Sequence, residues 1–137
     1  MKMSRTASRE QAFILIFEKS FNNDALPDLI ESAKLSRDLA DDEFMERLAN
    51  GTFENIEYID SVIEKNCIGW SKNRVSKVAL AVMRLCCYEI FFENDIPTSV
   101  SIDQAVELAK KFASEEDASF INGVLGSIVK FDNTEKE

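Results

Sequence analysis

Residues Phe120–Val129 read FINGVLGSIV, and the Asn-Gly pair at 122–123 sets two readings against each other. Asn-Gly between apolar residues is the strongest short signal for a β-hairpin. A two-residue hairpin requires alternation on both sides, yet the apolar residues stand in adjacent pairs: Phe120–Ile121, Val124–Leu125 and Ile128–Val129. At about 100° per residue, those six positions fill one half of a helical wheel. Asn122 falls at the edge of that half, and Gly123 and Gly126 lie opposite. The spacing predicts a helix.

Working back from it, Ser114 and Asp117 form an S-x-x-D helix start. Ser101 and Gln104 form a capping box for a helix reaching about Phe112, behind the loop DIPTSVS, where Pro97 disfavours helical geometry at Ile96. From Val78 to Phe92 only Arg84 and Glu89 are charged, which describes a helix buried nearly all round, the central strut of the second half. Cys67–Asn73 reads as a connector. Upstream, DDEFMERLANGTFENIEYIDSVIEKN has apolar residues at 45, 48, 56, 59 and 63, the spacing of one long helix over about 40–66, with a break at Asn50–Gly51 as the alternative. Pro27 suits the first turn of a short helix over about 27–35. Ser8 and Gln11 form a capping box ahead of AFILIF, for a first helix over about 8–21. No segment alternates as a strand. The expected fold is all-α, with two helical sub-bundles divided near 67–73, each too small to stand alone.

Composition narrows the chemistry. Histidine is absent, which removes the commonest general base and metal ligand. Three cysteines, two of them adjacent (Cys86 and Cys87), do not make a disulfide framework and read as reduced core residues. The acidic pairs Asp41–Asp42 and Glu115–Glu116 stand at helix starts, where negative charge is favourable. Tyr58 and Tyr88 lie on apolar faces and read as core. No glycine-rich phosphate loop, paired-cysteine metal motif, signal peptide or membrane span is present, so a non-catalytic cytoplasmic protein without cofactor or metal is expected.

Net charge is −9, which argues against bulk affinity for nucleic acid. The charge is uneven. Residues 1–20 carry Lys2, Arg5, Arg9 and Lys19 against Glu10 and Glu18. Residues 65–84 carry Lys65, Lys72, Arg74, Lys77 and Arg84 and no carboxylate. Brought together by folding, these islands would make one local phosphate-binding face; apart, they are scattered solvated charges.

Several stretches have a familiar order. Ile96–Pro97, the helix Ile102–Lys110, a short acidic turn and the F-I-N-G-V-L of Phe120–Leu125 closely resemble the C-terminal signature of the NusB family of bacterial transcription antitermination factors. MRLCCYEI (Met83–Ile90) is similar to that family's L-R-L-A-x-Y-E-L helix, and SREQAFILIFE is similar to its opening helix. The similarity spans essentially the whole chain and is most specific in the C-terminal half.

The resemblance implies about seven helices in two packed sub-bundles, about 1–70 and about 71–132, in a protein that is not an enzyme. It further implies binding to the boxA segment of ribosomal RNA leaders together with NusE, a small-subunit ribosomal protein. The pair would nucleate an antitermination complex on RNA polymerase. Carried over by position, the RNA side comprises Lys2, Arg5, Arg9, Phe120 and Asn122, with Gly123 admitting close backbone approach. The protein-partner surface falls at Phe17, in place of a tyrosine, and Arg84. Two departures matter: Thr6 and Ala7 thin the basic arm, and Ala79 and Leu80 stand where the family carries an acidic-basic pair. A protein-interaction module without RNA affinity, or an accessory domain related to RNA methyltransferases, are the rival expectations. Monomer and homodimer both remain open.

Overall fold

The computed structural model describes residues 3–67 and 75–132, and among these it contains seven α-helices and no strand. They are α1 (Arg5–Lys19), α2 (Leu26–Arg37), α3 (Glu43–Glu54), α4 (Ile56–Asn66), α5 (Lys77–Phe92), α6 (Thr98–Phe112) and α7 (Glu115–Phe131). Lys2, the connector core at 68–74 and the residues beyond 132 lie outside the described residues. None of the described helices is long and apolar enough to cross a membrane.

Helix α5 is the axis. It is buried nearly all round and packs against α1, α3, α4, α6 and α7. On one side α1, α2 and α3 form a sub-bundle; on the other, α6 and α7 pack on each other and on α5, with α4 laid across α5 and α7. The core runs through both, from Leu15, Ile16, Met45 and Leu48 to Ile121, Leu125 and Ile128. FINGVLGSIV is helical: Ile121, Val124, Leu125 and Ile128 are buried, while Asn122, Gly123 and Gly126 face solvent. Its start is as expected, with the Ser114 hydroxyl accepting the Asp117 N–H at 3.0 Å.

Two other helix starts differ from expectation in the same way. Ser4, not Ser8, caps α1, accepting the Ala7 N–H at 3.1 Å. Ser8 lies one turn inside, buried, and its hydroxyl donates to Asp42 Oδ2 at 2.7 Å. Helix α6 begins at Thr98, directly after Pro97, so Ser101 is again one turn inside and buried, donating to Glu89 Oε1 at 2.9 Å. Each serine gives its hydroxyl to a carboxylate on another helix instead of capping its own.

The stretch expected as one long helix is two. The break falls at Asn55 (φ −117°, ψ 21°), not at Asn50–Gly51. Both the backbone N–H and the side-chain amide of Asn55 donate to the Gly51 carbonyl, at 3.2 and 2.9 Å, so a local side-chain bond competes with continuation of the ladder. Gly51 stays helical for a packing reason. A Cβ there would overlap the ring of Tyr88, which lies against the bare backbone. Tyr88 is buried as expected, whereas Tyr58 is half exposed, edge-on to Phe91 and Phe92.

Helix α4 is latched to the end of α7. Asn66 Nδ2 donates to Asp132 Oδ2 at 2.8 Å, Ser127 donates to Asn66 Oδ1 at 2.7 Å, and Lys65 pairs with Asp132 at 2.9 Å. Asp132, the residue that follows α7, is thus engaged by two residues of α4. All three cysteines are buried, reduced thiols.

The glycines give a paired test. Gly51→Ala should lose about 1–3 kcal/mol in urea unfolding, the range for overpacking a filled site. Gly126→Ala, where a Cβ meets nothing within 4 Å, should gain up to about 1 kcal/mol from helix propensity. Equal effects of the two substitutions would refute the close Tyr88 approach.

Candidate nucleic-acid interface

The first turn of α1 presents Arg5 to solvent, with its guanidinium carbon 4.1 Å from the centroid of Phe44, at the start of α3. No carboxylate among the described residues bonds it. One turn later on the same face, Arg9 is buried. Its Nε and Nη2 form a fork on Glu89 of α5, at 2.8 and 3.0 Å, and both side chains are buried. Glu89 also accepts the Ser101 hydroxyl, so one carboxylate ties α1, α5 and α6 together. The arginine expected to face RNA is committed to the interior, where removing it from water demands such a partner.

A second fork lies beside the first. Arg47 of α3 donates from Nε and Nη2 to Glu93 at 2.8 and 3.0 Å, and Tyr88 Oη donates to the same carboxylate at 2.8 Å. Burial alone would raise the Glu93 carboxyl; the bonds from Arg47 and Tyr88 outweigh it and hold the group below its ordinary value. The Tyr88 phenol is pushed up to about 12, by burial first and then by its bond to Glu93. The Arg47 and Arg9 guanidinium carbons stand 5.3 and 5.5 Å from the Phe44 centroid, so three cations surround one ring.

At the other end of the expected site, Asn122 and Gly123 are exposed, and Phe120 is half-buried against the core. Asn122 lines a groove of about 490 Å³ between α6 and α7 with Lys110, Ser119, Asp103, Glu107 and Glu115. Helices α1 and α7 share no main packing interface. What links them is the end of α6: Lys111 Nζ is 2.7 Å from Glu10 Oε1 on α1, and Phe112 packs on Phe13 at 5.0 Å between centroids. Lys110 and Lys111 are therefore the residues that sequence reasoning missed. Two lysines in a last helical turn read as complements to the helix dipole, and only the packing of α6 between α1 and α7 marks them out.

Among the described residues, the two basic islands do not merge into one cationic face. Besides Arg9, Lys65 is paired with Asp132, and Arg84 forks onto Asp60 of α4 at 2.8 Å through both nitrogens. Arg84, expected on a partner surface, holds α4 to α5. Lys77 Nζ stands 5.8 Å over the exposed ring of Phe21. Phe17, the other expected partner residue, is half-buried between Phe13 and Phe21 in a row of rings along α1.

Comparison with known proteins agrees over almost the whole chain. Residues 6–130 match the family model of the NusB family. The transcription antitermination protein NusB of Clostridium acetobutylicum is 46% identical over 129 residues, covering 93% of this chain and 96% of that protein. Among solved structures, T. maritima NusB superposes with a TM-score of 0.84 at 36% identity, covering 96% of this chain and 94% of that one. A chain from the crystal structure of antitermination factors NusB and NusE in complex with dsRNA superposes with a TM-score of 0.81 at 27% identity, covering 92% and 96%.

The opposite placements of Arg5 and Arg9 are separable by unfolding measurements. Glu89→Ala, which strands a buried guanidinium, should lose about 3–5 kcal/mol. Arg5→Ala, on the surface, should stay within about 0.5 kcal/mol of the unaltered protein. Comparable losses at both positions would contradict the geometry.

Proposed function

This chain belongs to the NusB family of transcription antitermination proteins, which are not enzymes, and from that premise we propose that it binds boxA-type leader RNA together with NusE, in the cytoplasm. The assembled pair then nucleates an antitermination complex on RNA polymerase. The observation that carries this reading is the close match, over nearly the full length of both chains, to a chain from a complex containing NusE and RNA. Three local features support it. Arg5 offers an uncommitted guanidinium fork of the kind that suits a phosphate. Asn122 extends an amide from the rim of α7, within reach of a base edge. Lys110, 3.9 Å from Glu107, and Lys111, paired with Glu10, place two further cations on the helix between them.

In this reading Arg9 contributes by holding α1 in place, so fewer phosphates are neutralised than the arginine count suggests. Affinity for RNA alone is correspondingly low, and NusE supplies the remainder. The burial of Arg9 favours one alternative, an interaction module whose RNA affinity resides wholly in its partner.

Filter binding with a single-stranded boxA oligonucleotide and with a duplex of the same sequence, each with and without NusE, decides between them. The unaltered protein should bind the single strand in a salt-dependent manner, more tightly with NusE present. Arg5→Ala should weaken binding by about tenfold, the equivalent of one charge-assisted hydrogen bond. Absence of salt-dependent binding in the arms without NusE, together with no gain over NusE alone in the others, would leave only the interaction module.

A further inference from the structure

A cleft of about 810 Å³ opens between the start of α1 and the start of α3, and Arg5, Phe44 and Arg47 stand along it. Its charges can be accounted for one by one. Arg9 is matched by Glu89 and Arg47 by Glu93, each through a two-bond fork. Arg5 has no such match among the described residues. Of the carboxylates along the cleft, Asp41 and Glu46 are both held by Lys34, at 2.6 and 3.4 Å. Asp42 accepts from Ser8 and from the Met45 N–H. Glu43 alone has no bonded partner among the described residues. Along the cleft, Arg5 and Glu43 are thus the charged groups with no ion-pair or hydrogen-bond partner among the described residues.

Geometry adds to the charge count. A guanidinium lying over an aromatic ring keeps its N–H groups free at its edge, a planar fork that suits the paired oxygens of a phosphate. The Phe44 ring is itself buried and positions the cation instead of offering a face to a base. Arg47 spends Nε and Nη2 on Glu93, and among the described residues nothing bonds its Nη1, while its side chain remains half exposed. Glu93 is braced in turn by Tyr88, so the Arg47 head is fixed before any ligand arrives.

We propose that α3 completes a phosphodiester-binding notch, in which Phe44 positions Arg5 and Arg47 supplies a second donor, so that one RNA phosphate is gripped between α1 and α3. This rests on the RNA-binding reading and adds Phe44 as a positioning residue and Arg47 as a direct contact.

The test is equilibrium binding of a single-stranded boxA oligonucleotide, with NusE present, as a function of salt. The variants are Arg5→Ala, Phe44→Leu, the two combined, Arg47→Lys and Glu43→Gln, each checked for an unchanged helical spectrum at the assay temperature. Arg5→Ala and Phe44→Leu should weaken binding by similar factors and lower the salt slope by about 0.7 each, the value for one phosphate on a single strand. The double variant should lose no more than about twofold beyond either single one, since both disable the same contact. Arg47→Lys, which keeps its charge beside Glu93 but lacks the spare donor, should weaken binding with its melting temperature held, and Glu43→Gln should tighten it. Inorganic phosphate at matched ionic strength is the source control and should not displace RNA at concentrations comparable to the oligonucleotide. Full affinity in Phe44→Leu and Arg47→Lys beside a weakened Arg5→Ala overturns the notch and leaves the RNA reading standing. Displacement by phosphate at low concentration makes it a general anion site and overturns its assignment to RNA. No binding by the unaltered complex overturns both readings.

Discussion

Glu89 sits out of water in the middle of the fold, and its carboxylate takes two bonds from Arg9 and one from Ser101. Hydrophobic burial brings α1, α5 and α6 together but is indifferent to small slides and rotations between them. A buried ion must be met at bonding distance by its counterion, so the fork sets the register in which α1 and α6 lie on α5. The direction of Arg5 follows from that register. With Arg9 turned inward to Glu89, the residue one turn earlier is carried over Phe44, and the Lys111 end of α6 meets Glu10.

The α-helical class was readable because buried faces recur at helical spacing. In α7 this recurrence outweighed an Asn-Gly pair that in isolation signals a turn, and in α5 the near absence of charge announced burial on all sides. The errors were specific. Ser8 and Ser101 each had the spacing of a capping box, but each lies one turn inside its helix and donates to a carboxylate remote in sequence. A local motif cannot reveal a partner on another helix. The break at Asn55 depends on a side-chain amide reaching back to Gly51, which apolar periodicity does not register.

The site was less legible for the same reason. Arg5 and Arg9 are the same residue type in the same short segment, and only the position of Glu89, contributed by a helix far along the chain, decides that one is structural and the other exposed. Arg84 likewise reads as a surface cation until Asp60 is placed opposite it. Conversely, Lys111 gains its position from the docking of α6 against α1. Among the described residues, positive charge on this acidic protein is thus mostly held in ion pairs, and along the cleft between α1 and α3 Arg5 is the cation without one.

The bond between Ser8 and Asp42 has a dynamic consequence. One oxygen, Asp42 Oδ2, accepts both the Ser8 hydroxyl and the Met45 amide that opens α3. Fraying of the first turn of α3 therefore releases the anchor of α1, and lifting α1 away loosens that turn. Helix ends ordinarily open alone, as the least protected parts of a structure toward exchange with solvent. Here the end is tied into a larger cooperative unit, so the entrance to α3 should exchange more slowly than a helix end that opens alone.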